Sequence, residues 1–212
     1  MERKEISKAV LKRLPGYLAY LKTLSDSTSP YISATTLANA LGMGEVQVRK
    51  DLAMVSDGGR PKIGYQRLAL IDDIEQFLGY DNTTDAVLIG AGKLGQALCG
   101  YTGFEAYGLN ILAAFDANPT AAATDEGKPI YPMEQLESFC KANKVLMGII
   151  TVPADKAQAV CDQLIDCGIK AVWNFAPTHL DVPANILVQN ENMATSLAVL
   201  SMHLQAQIKE KK

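Results

Sequence analysis

Three glycines carry the most specific chemistry in this chain: Gly90, Gly92 and Gly95, in the run Gly90-Ala91-Gly92-Lys93-Leu94-Gly95. An apolar stretch, Ala86-Val87-Leu88-Ile89, enters the run, and Gln96-Ala97-Leu98 leaves it as a helix start. Strand, glycine turn and helix start follow in the order that a dinucleotide pyrophosphate requires. Gly90 permits the tight turn, Gly92 lets the backbone approach phosphate, and Gly95 lets the helix lie on the strand. The helix opening at Lys93 and Leu94 presents free N–H groups and a positive dipole end to an anion, with Ala91 held in the turn.

Twenty-six residues beyond Gly90, the apolar run Ala113-Ala114-Phe115 ends in Asp116. In dinucleotide folds an acid at the end of the second strand accepts hydrogen bonds from the adenosine ribose, and its charge repels a 2′-phosphate, which favours NAD(H) over NADP(H). The competing reading makes Asp116 a turn residue opening Asp116-Ala117-Asn118-Pro119. Two more strand ends belong at the same sheet edge: Ile149-Ile150-Thr151-Val152-Pro153 and Val172-Trp173-Asn174-Phe175. Thr151 and Asn174 are candidates to hydrogen-bond a ligand there, Val152 and Pro153 to line the crevice, and Phe175 to flank a nicotinamide. Pro153 and Pro177 could instead merely start the segments that follow.

A reaction is harder to find. The two histidines are His179 and His203, and neither has an acid partner in the sequence pattern. There is no nucleophile elbow, no zinc-ligand spacing and no lysine–tyrosine pair of the reductase type. A cofactor pocket without acid–base machinery suits a sensor better than a catalyst. The readings left open are a small NAD-dependent oxidoreductase using His179 and a regulator responding to coenzyme A, for which Lys93 leaves some room.

The elements that position these groups fall in two parts. Residues 5–24 have the helical period of Val10, Leu11, Leu14, Leu18, Leu21 and Leu24, interrupted at Pro15. A polar turn over 25–30 precedes a helix capped by Ser33 and ending at Leu41. Gly42-Met43-Gly44 then turns into a second helix over 45–55. Two short helices around a glycine turn have helix-turn-helix proportions. Val48, Leu52 and Val55 fall on the core face, so Gln47, Lys50 and Asp51 point elsewhere, with Arg49 at the flank. The glycine-rich basic stretch from Asp57 to Tyr65 suits a β-hairpin wing along a DNA backbone, and residues 68–79 read as a further helix. From Asp85 the pattern changes. Strands over 86–90, 111–115, 145–151, 170–175 and 186–188 alternate with helices near 93–101, 133–142 and 155–167, which specifies a doubly wound parallel sheet. A last helix from Met193 to Lys209 is apolar on more than one face, and burial against a second subunit would explain that. In such a helix His203 would be packed.

Charge follows the same division. Residues 1–70 carry eleven lysines and arginines against six acids, whereas the remainder carries nine against seventeen. A basic head on an acidic body suggests a polyanion partner for the head. With 48% hydrophobic and 20% charged residues the chain has the composition of a folded globular protein. No stretch approaches the roughly 20 apolar residues of a membrane span, and the N-terminus lacks a signal core, so a cytoplasmic location is expected. Cys99, Cys140, Cys161 and Cys167 have no metal or redox spacing and read as reduced thiols.

From Ser7 to Leu204 the chain resembles the Rex family of redox-sensing repressors. The resemblance is carried by Lys12-Arg13-Leu14-Pro15 with Tyr17, by Gln47-Val48-Arg49-Lys50-Asp51-Leu52, by the wing end Gly64-Tyr65 and by the glycine run. Ala114-Phe115-Asp116, Thr151-Val152-Pro153-Ala154 and Asn174-Phe175-Ala176-Pro177 complete it. It implies a winged-helix DNA-binding domain over 1–80, an NAD(H)-binding Rossmann domain over 85–190, and a C-terminal dimerisation helix over 191–212 that swaps between subunits. It also implies a homodimer on an inverted-repeat operator, touched by Gln47, Arg49 and Lys50 from the recognition helix and by Arg60 and Lys62 from the wing, with release when NADH rises against NAD+. Two positions depart from the family: Ala19 stands where an arginine is common, and Asn192 where an aspartate is common. In the family those groups act with a tyrosine matching Tyr101 as a cofactor-dependent contact. The departures imply altered or weakened redox switching.

Overall fold

The computed structural model describes residues 7–25 and 29–210, and the chain divides into two compact units between Asn82 and Thr83. Residues 5 and 6 of the expected first helix and 26–28 of the expected turn lie outside the described residues.

The first unit runs α1 (Lys8–Thr23), β1 (Tyr31–Ile32), α2 (Ala34–Leu41), α3 (Glu45–Val55), β2 (Tyr65–Gln66) and α4 (Arg67–Leu78). Local signals set these boundaries. The hydroxyls of Ser7 and Ser33 accept from the amides of Val10 and Thr36, and Gly42 and Gly79 close α2 and α4 in the left-handed region. Leu14, Tyr17, Leu18, Leu21, Leu37, Val48, Leu52, Leu70 and Ile74 form the buried core. Pro15 does not interrupt α1, which runs on through it. The apolar neighbours Leu14 and Leu18 are held in that core, and their burial offsets the one backbone hydrogen bond a mid-helix proline forfeits.

The expected wing is smaller than a hairpin. Beyond the antiparallel pair of β1 and β2, it holds a single bridge between Arg60 and Gly64. Pro61 has no N–H to donate to a ladder, and Lys62 sits at φ 65, so the segment closes as a tight turn. Gly64 passes so near β1 that a Cβ there would lie 2.3 Å from the Ile32 carbonyl oxygen.

Asp51 corrects the sequence reading. It does not point away from the core but is 3% exposed. Its carboxylate accepts from Arg13 Nε at 2.7 Å, Arg13 Nη2 at 2.9 Å and the Tyr17 hydroxyl at 2.7 Å. This network fastens α3 to α1. Burial alone would raise the Asp51 carboxyl, but the bonds from Arg13 and Tyr17 prevail and hold it below the ordinary carboxylate range. Burial, followed by the bond to Asp51, pushes the Tyr17 phenol up to about 12, and the Arg13 guanidinium is raised by the same carboxylate.

The second unit contains β3 (Thr84–Ile89), α5 (Lys93–Cys99), a 3-10 turn (Thr102–Tyr107), β4 (Leu109–Asp116), β5 (Ile130–Pro132), a 3-10 turn (Met133–Gln135) leading into α6 (Leu136–Asn143), β6 (Met147–Ile150), α7 (Ala154–Asp166), β7 (Ala171–Asn174), β8 (Leu187–Asn190) and α8 (Met193–Glu210). Its strands form one parallel sheet in the order β5-β4-β3-β6-β7-β8. Both faces are covered. Val87 and Ile89 enter one core cluster, Ala86 and Leu88 the other, which is why the strand reads as a continuous apolar run. A register shift opposite Ala86/Val87 leaves Leu112 without a partner and resets the alternation of β4, so that Ala113 and Phe115 face one core and Ala114 the other. The edge strand β5 has no counterpart among the expected strands, because three residues ending in proline carry no periodicity.

Met193, Leu197, Leu200, Met202, Leu204 and Ile208 of α8 are exposed in the single chain. His203 is exposed with them in the single chain. The four cysteines are free, three of them buried, and burial pushes the Cys99 and Cys140 thiols up to about 11.

Because the folded Asp51 carboxyl titrates below its unfolded value of about 3.9, the stability it lends is complete above that pH and is lost as pH falls through the folded value. Asp51→Asn leaves Arg13 facing a neutral amide and is expected to cost about 3 kcal/mol at pH 7. It should also flatten the acid limb. Amide exchange in α1 and α3 of the full chain, compared at neutral and acid pH, reads both effects.

Candidate cofactor crevice and nucleic-acid face

Chain order reverses between β3 and β6: β4 and β5 extend the sheet to one side, β7 and β8 to the other. Loops leaving two such strands diverge and open a crevice at their carboxyl ends. The glycine run sits there. Gly90, at φ 102, donates its N–H to the Phe115 carbonyl at 2.8 Å. A Cβ on Gly95 would lie 1.9 Å from the Gly90 oxygen, whereas a Cβ on Gly92 would meet nothing within 4 Å. The two glycines therefore do different work: Gly95 makes room for the fold and Gly92 keeps space open above the loop. Gly92 is also the residue before α5, where no side chain caps the helix. Lys93 and Leu94 are exposed in its first turn.

Neighbouring strand ends hold this loop in shape. Thr151 donates its amide to Ile89 O at 2.9 Å, and its hydroxyl lies 2.8 Å from Gly90 O and 3.0 Å from Ile89 O. Val152 packs on Gly90, and Pro153 is the residue from which α7 starts. Asp116 lies across the turn, accepting from Ala91 N–H at 2.7 Å and Asn118 N–H at 2.9 Å. The acid and turn readings of Asp116 are thus compatible: one carboxylate braces both loops while standing at the end of β4.

Asn174 departs from expectation. Its side chain is completely buried, donating to Thr178 O at 3.0 Å and Asn190 Oδ1 at 2.8 Å and accepting from Ala176 N–H at 3.0 Å. Those bonds pin the loop after β7, and the amide faces protein instead of the crevice. Phe175 is half-buried against Trp173 with ring centroids 4.8 Å apart. Open space over Gly92, an uncapped helix start and a carboxylate at the second strand end fit a dinucleotide.

In the first unit, Arg49, Arg60 and Lys62 line one groove of about 530 Å³ together with Ser33, Ala34 and Thr35 at the start of α2. Sequence placed Arg49 on the second helix and Arg60 and Lys62 on the wing; the fold gathers all three, with a positive helix end, on one face. Arg49 also pairs with Glu45 one helical turn back. Gln47 and Lys50 are exposed on α3 outside that groove. With its amide oriented to satisfy both partners, Gln47 accepts from Arg13 Nη1 at 2.9 Å. Arg13 therefore holds both the buried and the exposed faces of α3. Sequence reasoning had no functional role for it, because its partners lie more than thirty positions away.

The three positions assigned to switching are distinct. Ala19 is an exposed residue of α1. Tyr101 is 54% exposed with its ring edge-on to Phe104. Asn192 caps α8, its Oδ1 accepting from Thr195 N–H at 3.1 Å, a task an aspartate would do equally well.

Known proteins resemble this chain in sequence and in fold. A sequence profile described as a CoA binding domain matches residues 81–178, and one described as a putative DNA-binding protein N-terminus matches residues 5–53. The redox-sensing transcriptional repressor Rex of Bacteroides thetaiotaomicron is 39% identical over 92% of this chain and 90% of its own length. The protein of the same name from Clostridium botulinum strain Eklund 17B is 40% identical over 97% of this chain and 99% of its own. This chain belongs to the Rex family. RSP, a Rex-family repressor, is 35% identical. Its complex with β-NAD+ and operator DNA matches with a TM-score of 0.89, covering 98% of this chain and 96% of that one. Its complex with β-NADH gives 0.83 over 99% and 100%. The other Rex proteins are named as repressors and not as enzymes, which disfavours the oxidoreductase reading. The exposed His179 adds nothing to that reading, and among the described residues no cluster of histidine, cysteine, aspartate and glutamate could hold a metal. Nor is any described helix long and apolar enough to cross a membrane.

The contrast between the glycines is testable on the protein alone. Gly95→Ala should cost about 2–3 kcal/mol or displace the turn, while Gly92→Ala should stay within about 1 kcal/mol of the parent. Thermal unfolding followed by circular dichroism separates them.

Proposed function

We propose that this chain is a transcriptional repressor that reads the NADH/NAD+ ratio and binds an inverted-repeat operator as a homodimer. The observation that carries the reading is the pairing, in one Rex chain, of a basic helix-turn-helix face with a dinucleotide cradle that has no acid–base machinery beside it. RSP, at 35% identity, is known with NAD+, with NADH and with operator DNA, which supports carrying all three ligands over.

In this reading residues 1–80 bind DNA. Gln47, Arg49 and Lys50 on α3 meet the major groove, while Arg60 and Lys62 meet the backbone. Neutralising several phosphates makes the binding steeply salt-dependent. Residues 85–190 hold NAD(H): the amides of Gly92 to Gly95 face the pyrophosphate while that of Ala91 stays on the Asp116 carboxylate, Asp116 faces the adenosine ribose, and Val152, Pro153 and Phe175 line the nicotinamide side. Thr151 and Asn174 contribute by bracing those loops. Residues 191–212 supply the dimer helix, and the exposed apolar residues of α8 support a second copy as its cover. The protein works in the cytoplasm and catalyses no reaction. With alanine at 19 and asparagine at 192, no ion pair between those positions is possible, so NADH shifts operator affinity less than in an arginine- and aspartate-bearing relative. A regulator responding to coenzyme A is the weaker reading, because Asp116 stands where the adenosine ribose would carry its phosphate.

An operator duplex selected from a randomised pool, titrated with NADH, NAD+ and coenzyme A, tests this. NADH should weaken operator binding, by a smaller factor than in such a relative, while coenzyme A leaves it unchanged. Gly92→Ala should abolish the NADH response with the fold intact. Release by coenzyme A but not NADH would overturn the proposal.

A further inference from the structure

We propose that Trp173 and Glu191 form a bridge carrying the state of the nicotinamide side of the crevice to the root of α8, and that this pair sets how strongly the cofactor alters operator binding. The inference rests on the redox-sensing reading above.

Trp173 is the single tryptophan of the chain and lies on β7, half-buried. Its indole N–H donates to Glu191 Oε1 at 3.0 Å. Its ring packs between Phe175, at 4.8 Å between centroids, and Phe104, at 5.5 Å and 71°, and Phe104 in turn meets Tyr101 edge-on at 4.8 Å. One end of this aromatic row reaches the crevice, because Phe175 donates its amide to Ile150 O at 2.9 Å, at the end of β6 beside Thr151. The other end is the exposed Tyr101.

Glu191 is the one residue between β8 and Asn192, the cap of α8. Both its side chain and its backbone are held by the end of β7: the carboxylate by Trp173, and the amide N–H by Asn174 O at 2.8 Å. Gln189 Nε2 reaches the same carboxylate oxygen at 3.3 Å. Packed rings shift as bodies instead of deforming. A ligand that displaces Phe175 therefore moves Trp173 and, through the indole hydrogen bond, Glu191 with it, which redirects the first turn of α8. The bridge needs no charge at positions 19 and 192, where this chain has none.

The test uses the full chain and the selected operator duplex. Operator Kd is measured with and without saturating NADH by anisotropy of labelled DNA, and NADH Kd by calorimetry. The variants are Glu191→Ala, Glu191→Gln, which keeps an acceptor oxygen, Trp173→Phe, which keeps a ring but loses the donor, and the double Glu191→Ala/Trp173→Phe. Cofactor-free operator Kd and NADH Kd should stay within about twofold of the parent. The factor by which NADH weakens operator binding should fall about tenfold in Glu191→Ala and in Trp173→Phe, recover in Glu191→Gln, and fall no further in the double variant. A coupling factor unchanged in both single variants overturns the bridge, as does a double variant that loses twice as much as either single. Faster amide exchange in the first turn of α8 with coupling intact also overturns it, since the pair would then only hold structure. A parent that binds NADH without any change in operator affinity overturns the redox-sensing reading itself, and the bridge with it.

Discussion

Everything in the second unit turns on the hydrogen-bonded closure around Gly90. The Thr151 hydroxyl on the Gly90 carbonyl, the Asp116 carboxylate on the Ala91 amide and the near-contact between Gly95 and Gly90 O converge on one loop from two strand ends and a helix. A glycine loop has little shape of its own, since each glycine surrenders more conformational freedom on folding than any other residue. Packing from β4, β6 and α5 supplies that shape. The same constraint decides where a ligand can lie: of the three glycines of the loop, Gly92 has nothing near its missing Cβ and is the side left open.

The first unit is held by a different device with the same logic. A buried carboxylate, Asp51, is tolerated because Arg13 and Tyr17 satisfy it, and that satisfaction fixes the angle at which α3 presents its outer face. A buried pair of this kind contributes little net stability, but removing one partner is costly, so it specifies geometry. Recognition of a nucleic acid depends on such fixed geometry, and Arg13 extends it outward to Gln47.

Much of this is legible in the order of the residues alone. The period of the first helix, the Ser33 cap, the glycine turn at 42, the parallel strands and the spacing from Gly90 to Asp116 all follow from preferences that act within a few residues. The errors fall where a short-range rule meets a long-range partner. Asp51 reads as a surface acid until α1 is packed beside it. Asn174 reads as a ligand donor until Asn190 and Thr178 are seen to take its protons. Pro15 reads as a break until the core around it is counted. The wing reads as a hairpin because its glycines and cations do not show that Pro61 and Lys62 leave only one bridge.

The sequence alone determined the two-part plan, the dinucleotide cradle and the candidate DNA residues, because periodicity, turn chemistry and motif spacing are written locally in the chain. Only the tertiary structure decided which polar groups brace the loops around the crevice. It alone gathered Arg49, Arg60 and Lys62 in one groove, and it joined Trp173 to Glu191 at the root of α8. Those outcomes depend on which strands become neighbours and which helices pack together. Contacts of that kind join residues far apart in the chain, and no local pattern records them.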